Sequence, residues 1–231
     1  MHTGIVILSR YSSSRLPGKA LRPMLGKVVL AYIVERLLQV VPKEYIVLAT
    51  SEEASDDPIA VFAQQAGVTC YRGSLENVAE RFYQAAATRG WDYATRINGD
   101  NIFVDTVVLQ QMIALAETGK YDFVSNVKGR TFPKGMSVEI VRINHYAALL
   151  PAINASTQYR EHVTLYLYEH DGGQAYFYYL NETLPEAAGL QLALDTPEDW
   201  DRTLYVMQQF TAPHWTYNMK EILNILSDTH A

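Results

Sequence analysis

The chain has 231 residues, 48% of them hydrophobic, enough to bury a full core. Its net charge of −6 argues against broad nucleic-acid binding, which needs a basic face. Cys70 is the only cysteine, the opening apolar run is too short for a secretory leader, and no stretch is long enough to span a membrane, so a cytoplasmic protein without an intrachain disulfide is expected.

In chain order, "GIVIL" (4–8) reads as a strand and "VVLAYIVERLLQVV" (28–41) as a helix. "YIVLAT" (45–50) is the next strand, a polar break covers 51–57, and "PIAVFAQQAG" is a helix that starts at Pro58 and stops at Gly67. "VTCYR" (68–72) and "YATRIN" (93–98) continue the strands, with "NVAERFYQAAATRG" (77–90) as the helix between them. This alternation predicts an α/β fold, a mostly parallel sheet with helices on both faces. From about 122 to 180 it gives way to strands at "FVSNV", "SVEIVRI" and "QAYFYYL" around a helical "YREHVTLYLYEH". That β-rich excursion either extends the sheet or reaches a partner subunit. "LQLALD" (190–195) reads as a buried strand, and two helices close what is expected to be one domain over 1–231. The glycosylation patterns at Asn154 and Asn181 are read as chance.

The first chemistry lies just past the first strand, in "LSRYSSSRLPGKAL" (8–21). With 25 acids in the chain, roughly three or four belong in the first 34 positions, yet none precedes Glu35. Arg10, Arg15, Lys19, Arg22 and Lys27 are there instead. A Ser/Gly-rich loop at the carboxyl end of a parallel strand presents backbone N–H groups as an anion nest. Ser12, Ser13 and Ser14 add hydroxyl donors, and Pro17-Gly18 turns Lys19 back over the loop. A polyphosphate suits this set; a solvated basic loop is the plainer alternative. A Walker A loop is excluded, because Ser13 replaces its first glycine and Ala20 its Ser/Thr.

Two carboxylates complete the picture. Asp100, in "RINGDN", and Asp195, in "LALDTPED", each end a predicted strand. Such a pair can converge on one hard cation shared with phosphate. Taken singly, Asp100 is equally a turn residue and Asp195-Thr196 a helix cap, with Asp199 favouring the helix N-terminus. Arg72 and Gly73 follow a strand where a base edge can be read, and Arg81 on the next helix is equally a structural partner.

The ten residues R-Y-S-S-S-R-L-P-G-K (10–19) resemble the signature of the cytidylyltransferases that make CMP-sugars. The likeness is to the CMP-KDO synthetase and acylneuraminate (spore-coat polysaccharide) branches and runs from residue 4 to about 205. It implies a Rossmann-like nucleotidyltransferase domain whose loop wraps the triphosphate of CTP. Leu8, Ser9, Arg10, Ser12, Ser13, Ser14, Arg15, Lys19, Arg72, Gly73 and Asn98 are then the nucleotide contacts. Asp100 and Asp195 hold Mg²⁺ and act with Arg10 and Lys19 in the transfer. Lys134, Glu139, Arg160 and His162 are the candidates for a small anionic acceptor, although a histidine in "HVTLYLY" is equally a core residue. Departures occur at Leu8-Ser9, Asn77, Asn101-Ile102 and Lys134, where relatives usually carry other residues. The resemblance implies transfer of CMP to a sugar acid with release of pyrophosphate, in surface polysaccharide biosynthesis. A phosphate or phosphonate acceptor and a non-catalytic nucleotide binder are the rivals. The aromatic run over 159–179 suits a homodimer interface, with a monomer using it as core as the alternative.

Overall fold

The computed structural model describes residues 1–12, 15–170 and 172–227. β1 (Thr3–Leu8) is buried along its whole length. Ile5 and Ile7 enter one core while Val6 and Leu8 enter another, so the strand reads as an unbroken apolar run. A short antiparallel hairpin, β2 (Pro23–Met24) and β3 (Lys27–Val28), leads into α1 (Val29–Leu37). The strand–helix unit then repeats through β4 (Ile46–Ser51), α2 (Asp57–Ala66), β5 (Thr69–Gly73), α3 (Val78–Ala87), β6 (Tyr93–Asn98) and α4 (Thr106–Glu117). The remainder contains β7 (Phe123–Ser125), β8 (Glu139–Arg142), α5 (Ile143–Asn154), α6 (Thr157–Glu161), α7 (Leu165–Glu169), β9 (Tyr176–Tyr178), α8 (Pro197–Gln208) and α9 (Met219–Ser227).

Seven strands share one sheet in the order β5-β4-β1-β6-β8-β7-β9. β5, β4, β1 and β6 are parallel; β8 runs against both β6 and β7, and β9 lies parallel to β7. The excursion therefore extends the sheet. α1, α2, α4, α8 and α9 pack on one face, and α3, α5 and α7 on the other. The strand order reverses at β1, whose neighbours are β4 on one side and β6 on the other. That is the switch point where an open α/β sheet leaves a crevice at its carboxyl ends. Arg36, fully buried on α1, donates to the carbonyls of Val104 (3.3 Å) and His214 (2.6 Å). It ties the loop beyond β6 to the C-terminal segment. Among the described residues no helix is long and apolar enough to cross a membrane.

Three expected elements differ. The helix over 28–41 stops at Leu37 and continues only as turns, because Val41 precedes Pro42 and a residue before proline avoids the helical region. The helix over 159–170 is two short helices broken between Glu161 and Leu165. At the break Val163 takes φ 27°, held by full burial and by the Tyr146 hydroxyl donating to its carbonyl at 2.7 Å. "LQLALD" is buried only at Leu192, Ala193 and Leu194, and it is no strand. It makes one isolated bridge, Lys134 to Gln191, with Lys134 N donating to Leu190 O and Leu192 N to Lys134 O, both at 2.8 Å. Leu194 N then donates to Asp100 O at 3.2 Å, so the segment docks on the loop past β6 rather than on a strand.

Gly135 permits that docking. It has φ +94°, and a Cβ there would lie 2.4 Å from the Ala193 nitrogen. Gly135→Ala is expected to destabilise the fold by about 3 kcal/mol, combining a left-handed backbone with a backbone clash. It should also lower activity, because Asp195 lies two residues beyond the clash. Thermal unfolding and turnover of the variant check both; an unchanged melting temperature would contradict the packing described.

Candidate active site

The loop leaving β1 is held at both ends. Ser9 N donates to Ala49 O at 3.1 Å, and Tyr11 N donates to Asp56 Oδ1 at 2.7 Å. Asp56 Oδ2 also accepts from Ser51 Oγ (2.5 Å) and Ser51 N (3.0 Å), so one buried carboxylate joins the loop to the end of β4. Gly18, at φ +66°, donates to Tyr11 O at 3.1 Å and closes the loop. Lys19 follows immediately and points inward, as the Pro17-Gly18 turn predicts. Ser13 and Ser14 lie outside the described residues.

Lys19 fills all three donor positions of its ammonium. Nζ donates to Asp100 Oδ2 (2.8 Å), Leu194 O (2.7 Å) and Asp195 Oδ1 (3.1 Å). Asp100 arrives from the end of β6 because Gly99 N donates to Leu8 O at 2.8 Å, a contact so close that a Cβ on Gly99 would sit 2.7 Å from Ser9 Oγ. Asp195 arrives by the docking described above and is also paired with Arg15 at 3.1 Å. Arg10 reaches across to Glu161 on α6 at 3.2 Å. Each basic side chain described on this loop therefore already faces an acid. Asp199 is not in the site: it forms a capping box with Thr196 at the start of α8, as its helix-end position implies.

Two cavities open here. The first, about 310 Å³, is lined by Leu8, Ser9, Arg10, Ser12, Arg15, Lys19, Arg81, Glu161 and others. The second, about 510 Å³, is lined by Arg130, Lys134, Gly135, Glu139, Gln158, Thr164 and Tyr168 among others. Arg96, Asn98, Asp100, His162 and Asp195 border both. The loop residues Leu8, Ser9, Arg10, Ser12, Arg15 and Lys19 are thus brought together with Asn98, Asp100 and Asp195. Lys134, Glu139 and His162 meet across the second cavity.

Three expected contacts are not brought in. Arg72 borders neither cavity, because its guanidinium is consumed by Ser51 O (2.9 Å), Glu53 O (2.9 Å) and Asp57 (2.6 Å), which lock the end of β5 onto the start of α2. Gly73 borders neither cavity; it makes room for Tyr71 and Arg81, which a Cβ would meet at 3.0 and 3.3 Å. Arg160 turns to Thr157 Oγ1 at 3.0 Å and also borders neither. Glu139 borders the second cavity, yet its carboxylate is taken up by Arg96, Thr164 and Tyr168, which leaves it little for a ligand. Asn77 caps α3 by accepting from Glu80 N at 3.0 Å.

Arg81, weighed from the sequence as a structural partner, lines the first cavity, as do Arg96 and Glu161, which the sequence patterns do not single out. Arg81 is nearly buried, forms no ion pair among the described residues and donates to Ser74 O at 2.6 Å; burial lowers its pKa, with Asp56 opposing. Arg96 was visible in principle, as a full charge inside the otherwise uncharged strand "YATRIN". Nothing in the sequence marks Glu161.

The donors at Asp100 and Asp195 fit a hard divalent cation shared with phosphate. Both carboxylates already converge on one positive centre, the Lys19 ammonium. Among the described residues no group of three or more His, Cys, Asp or Glu side chains is placed to hold a metal, so protein ligands alone would not complete the shell.

A basic loop, one aspartate just past the end of β6 and a second on the segment docked beside it, in a mostly parallel α/β sheet, define a nucleotidyltransferase. Residues 4–213 match the family model described as Cytidylyltransferase, and the chain belongs to that family. It is 28% identical over 228 residues to the spore coat polysaccharide biosynthesis protein SpsF of Bacillus subtilis (strain 168), covering 96% of this chain and 92% of that one. It is 26% identical over 185 residues to an 8-amino-3,8-dideoxy-manno-octulosonate cytidylyltransferase of Shewanella frigidimarina, covering 76% of this chain and 75% of that protein. The solved structure of a cytidylyltransferase from Leptospira borgpetersenii serovar Hardjo-bovis superposes with a TM-score of 0.90 at 28% identity, covering 100% of this chain and 95% of that one.

Burial raises the Asp56 pKa, but the Ser51 and Tyr11 donors outweigh it and hold the carboxyl below the usual aspartate value. A depressed carboxylate supports folding above its unfolded pKa of about 3.9, and that support is lost as pH falls through the folded value. Asp56→Asn is therefore expected to cost about 1–3 kcal/mol at pH 7 and much less near pH 3. Thermal unfolding at both pH values checks this; an equal loss at the two would contradict it.

Proposed function

We propose that the chain transfers CMP from CTP to a sugar acid, releasing pyrophosphate, with Mg²⁺ held by Asp100 and Asp195. The observation that carries the reading is Lys19 joining the basic loop to both aspartates, at the line where the two cavities meet. The first cavity, with Arg10, Arg15 and Lys19, suits the triphosphate. The second suits an anionic acceptor, since Lys134, Arg130 and Arg96 line it. The names of the SpsF and octulosonate relatives support a sugar acid and a role in surface polysaccharide synthesis, in the cytoplasm where CTP is available.

In this reading the chain's work is positioning and charge neutralisation rather than covalent catalysis. Arg10, Arg15 and Lys19 leave their acids for the phosphates and stabilise the departing pyrophosphate. The acceptor oxygen attacks the α-phosphorus in line from the second cavity. When bound, Mg²⁺ supplies Lewis-acid polarisation of the α-phosphate. Asp100 and Asp195 keep that end of the site anionic and so orient the metal-bound nucleotide.

We also propose a two-fold homodimer through the excursion. Several of its aromatics are consumed within the chain: Tyr168 bonds Glu139, Tyr176 bonds His145 and Tyr179 bonds Gln111. The stacked Tyr166–His170 pair at the end of α7, with Tyr159 of α6 packed edge-on against it and bonded to Glu169 at 2.6 Å, forms the aromatic patch offered to a second copy, beside the acceptor cavity.

A panel of sugar acids, phosphates and phosphonates, with CTP and pyrophosphate detection, tests the reaction. Turnover of a sugar acid with Mg²⁺ is expected; equal use of ATP, or full activity in excess EDTA, would contradict it. Lys19→Ala should lower turnover about 10²–10³-fold, the usual cost of losing one preorganised charge contact. Asp100→Ala and Asp195→Ala should each be at least as damaging and combine sub-additively; strictly additive losses would show that they do not share an ion. Light scattering is expected to give about twice the 26.1 kDa chain mass; a monomer across micromolar concentrations would contradict the dimer.

A further inference from the structure

Arg96 is the one full cation, among the described residues, that borders both cavities. It stands on β6 directly across from Glu139 on β8, and the two side chains form an ion pair. The pair is lopsided. Glu139 is buried, its side chain 4% exposed, while that of Arg96 is 19% exposed, and its exposed surface faces the cavities. Thr164 Oγ1 and the Tyr168 hydroxyl donate to Glu139 Oε1 at 2.6 and 2.7 Å, and Ser125 Oγ sits 2.5 Å from the same Tyr168 hydroxyl. Burial alone would raise the Glu139 pKa, yet Arg96 and these donors hold it low, so the carboxylate stays charged. Glu139 is therefore saturated from behind. Arg96 Nε is buried with no partner, and only one guanidinium nitrogen is spent on Glu139. With Nε sealed off and Nη1 on Glu139, Nη2 is the donor held in place for an anion in the cavity.

We infer that Arg96 is the specificity-determining residue of the acceptor cavity: it binds the acceptor's carboxylate, and Glu139 is the positioning residue that aims it. The inference rests on the sugar-acid reading above and assigns that recognition to a residue. In such an acceptor the carboxylate is attached beside the reacting hydroxyl. Once the hydroxyl meets the α-phosphorus at the line between the cavities, the carboxylate must lie at that line too. Arg10, Arg15 and Lys19 are on the triphosphate side, and Arg130 and Lys134 are exposed on the far wall. Arg96 alone lies between the two groups. A neutral acceptor would take up less of the donor capacity that Glu139 leaves over, which is how an affinity difference becomes selectivity.

The test compares a sugar acid with its carboxamide as acceptors in steady-state kinetics, with CTP affinity measured separately by calorimetry. Arg96→Gln alone would strand a buried Glu139 charge and endanger folding, so the main variant is Arg96→Gln with Glu139→Gln, which keeps a neutral hydrogen-bonded pair. The wild type is expected to prefer the acid. The double variant should raise the acid's KM by about 10- to 100-fold, the worth of a charge-assisted contact, and lose the preference over the amide. Its CTP affinity should stay within about 2-fold. Arg96→Lys, which preserves the charge balance, should keep part of the preference. A double variant that retains the acid preference, or loses CTP affinity as much as acceptor affinity, overturns the inference while leaving the sugar-acid reading intact. A wild type that turns over no sugar acid takes both down.

Discussion

One ammonium organises this site. Lys19 Nζ is the point where the loop beyond β1, the end of β6 and the segment before α8 are tied together. Its side chain is 14% exposed, and those of Asp100 and Asp195 are 20% and 25% exposed. In so little water the attraction is less screened than on an open surface, and two adjacent carboxylates without the ammonium would repel each other. The rest of the architecture brings these three side chains to one place. Gly99 lets the loop close on β6, and Gly135 lets the segment before α8 dock beside it.

That arrangement also sets how the site responds to ligands. Arg10, Arg15 and Lys19 each face an acid, so the loop is locally neutral rather than an open positive patch. A polyphosphate entering the first cavity competes with Glu161, Asp100 and Asp195 for those bases. In the proposed reaction the bases turn to phosphate, two aspartates are freed at once, and a divalent cation replaces the lost positive charge. Nucleotide and metal then support each other through a shared set of charges. In the proposed reading, selectivity for the acceptor is a separate matter, assigned to Arg96 on β6 and Glu139 on β8 in the second cavity.

The fold was legible because parallel strands buried on both faces write themselves as apolar runs, and "GIVIL", "YIVLAT" and "YATRIN" all lie where the sheet has its central strands. The excursion's strands were legible as well, but the sequence carries no sign that β8 runs antiparallel between β6 and β7. The docking of 190–195 depends on the positive φ of Gly135, more than fifty residues away, so its apolar pattern read as a strand. In the site, the loop and both aspartates could be read from local signals, although the strand expected to carry Asp195 is a docked loop segment. That Arg72 and Arg160 do not border the cavities could not be read from the sequence, because what turns them away is tertiary: Asp57 and two carbonyls for one, Thr157 for the other. Arg81 and Glu161 enter the cavity only through how α3 and α6 pack.

The central claim is that loop bases, aspartates and cation form one coupled unit. Calorimetric titration of CTP at increasing Mg²⁺, on the wild type and on Asp100→Asn with Asp195→Asn, tests it most directly. The account predicts that CTP binding to the wild type tightens as Mg²⁺ rises and that the double variant loses this dependence. CTP affinity that is the same with and without Mg²⁺ in the wild type, or equally Mg²⁺-dependent in the variant, would contradict it.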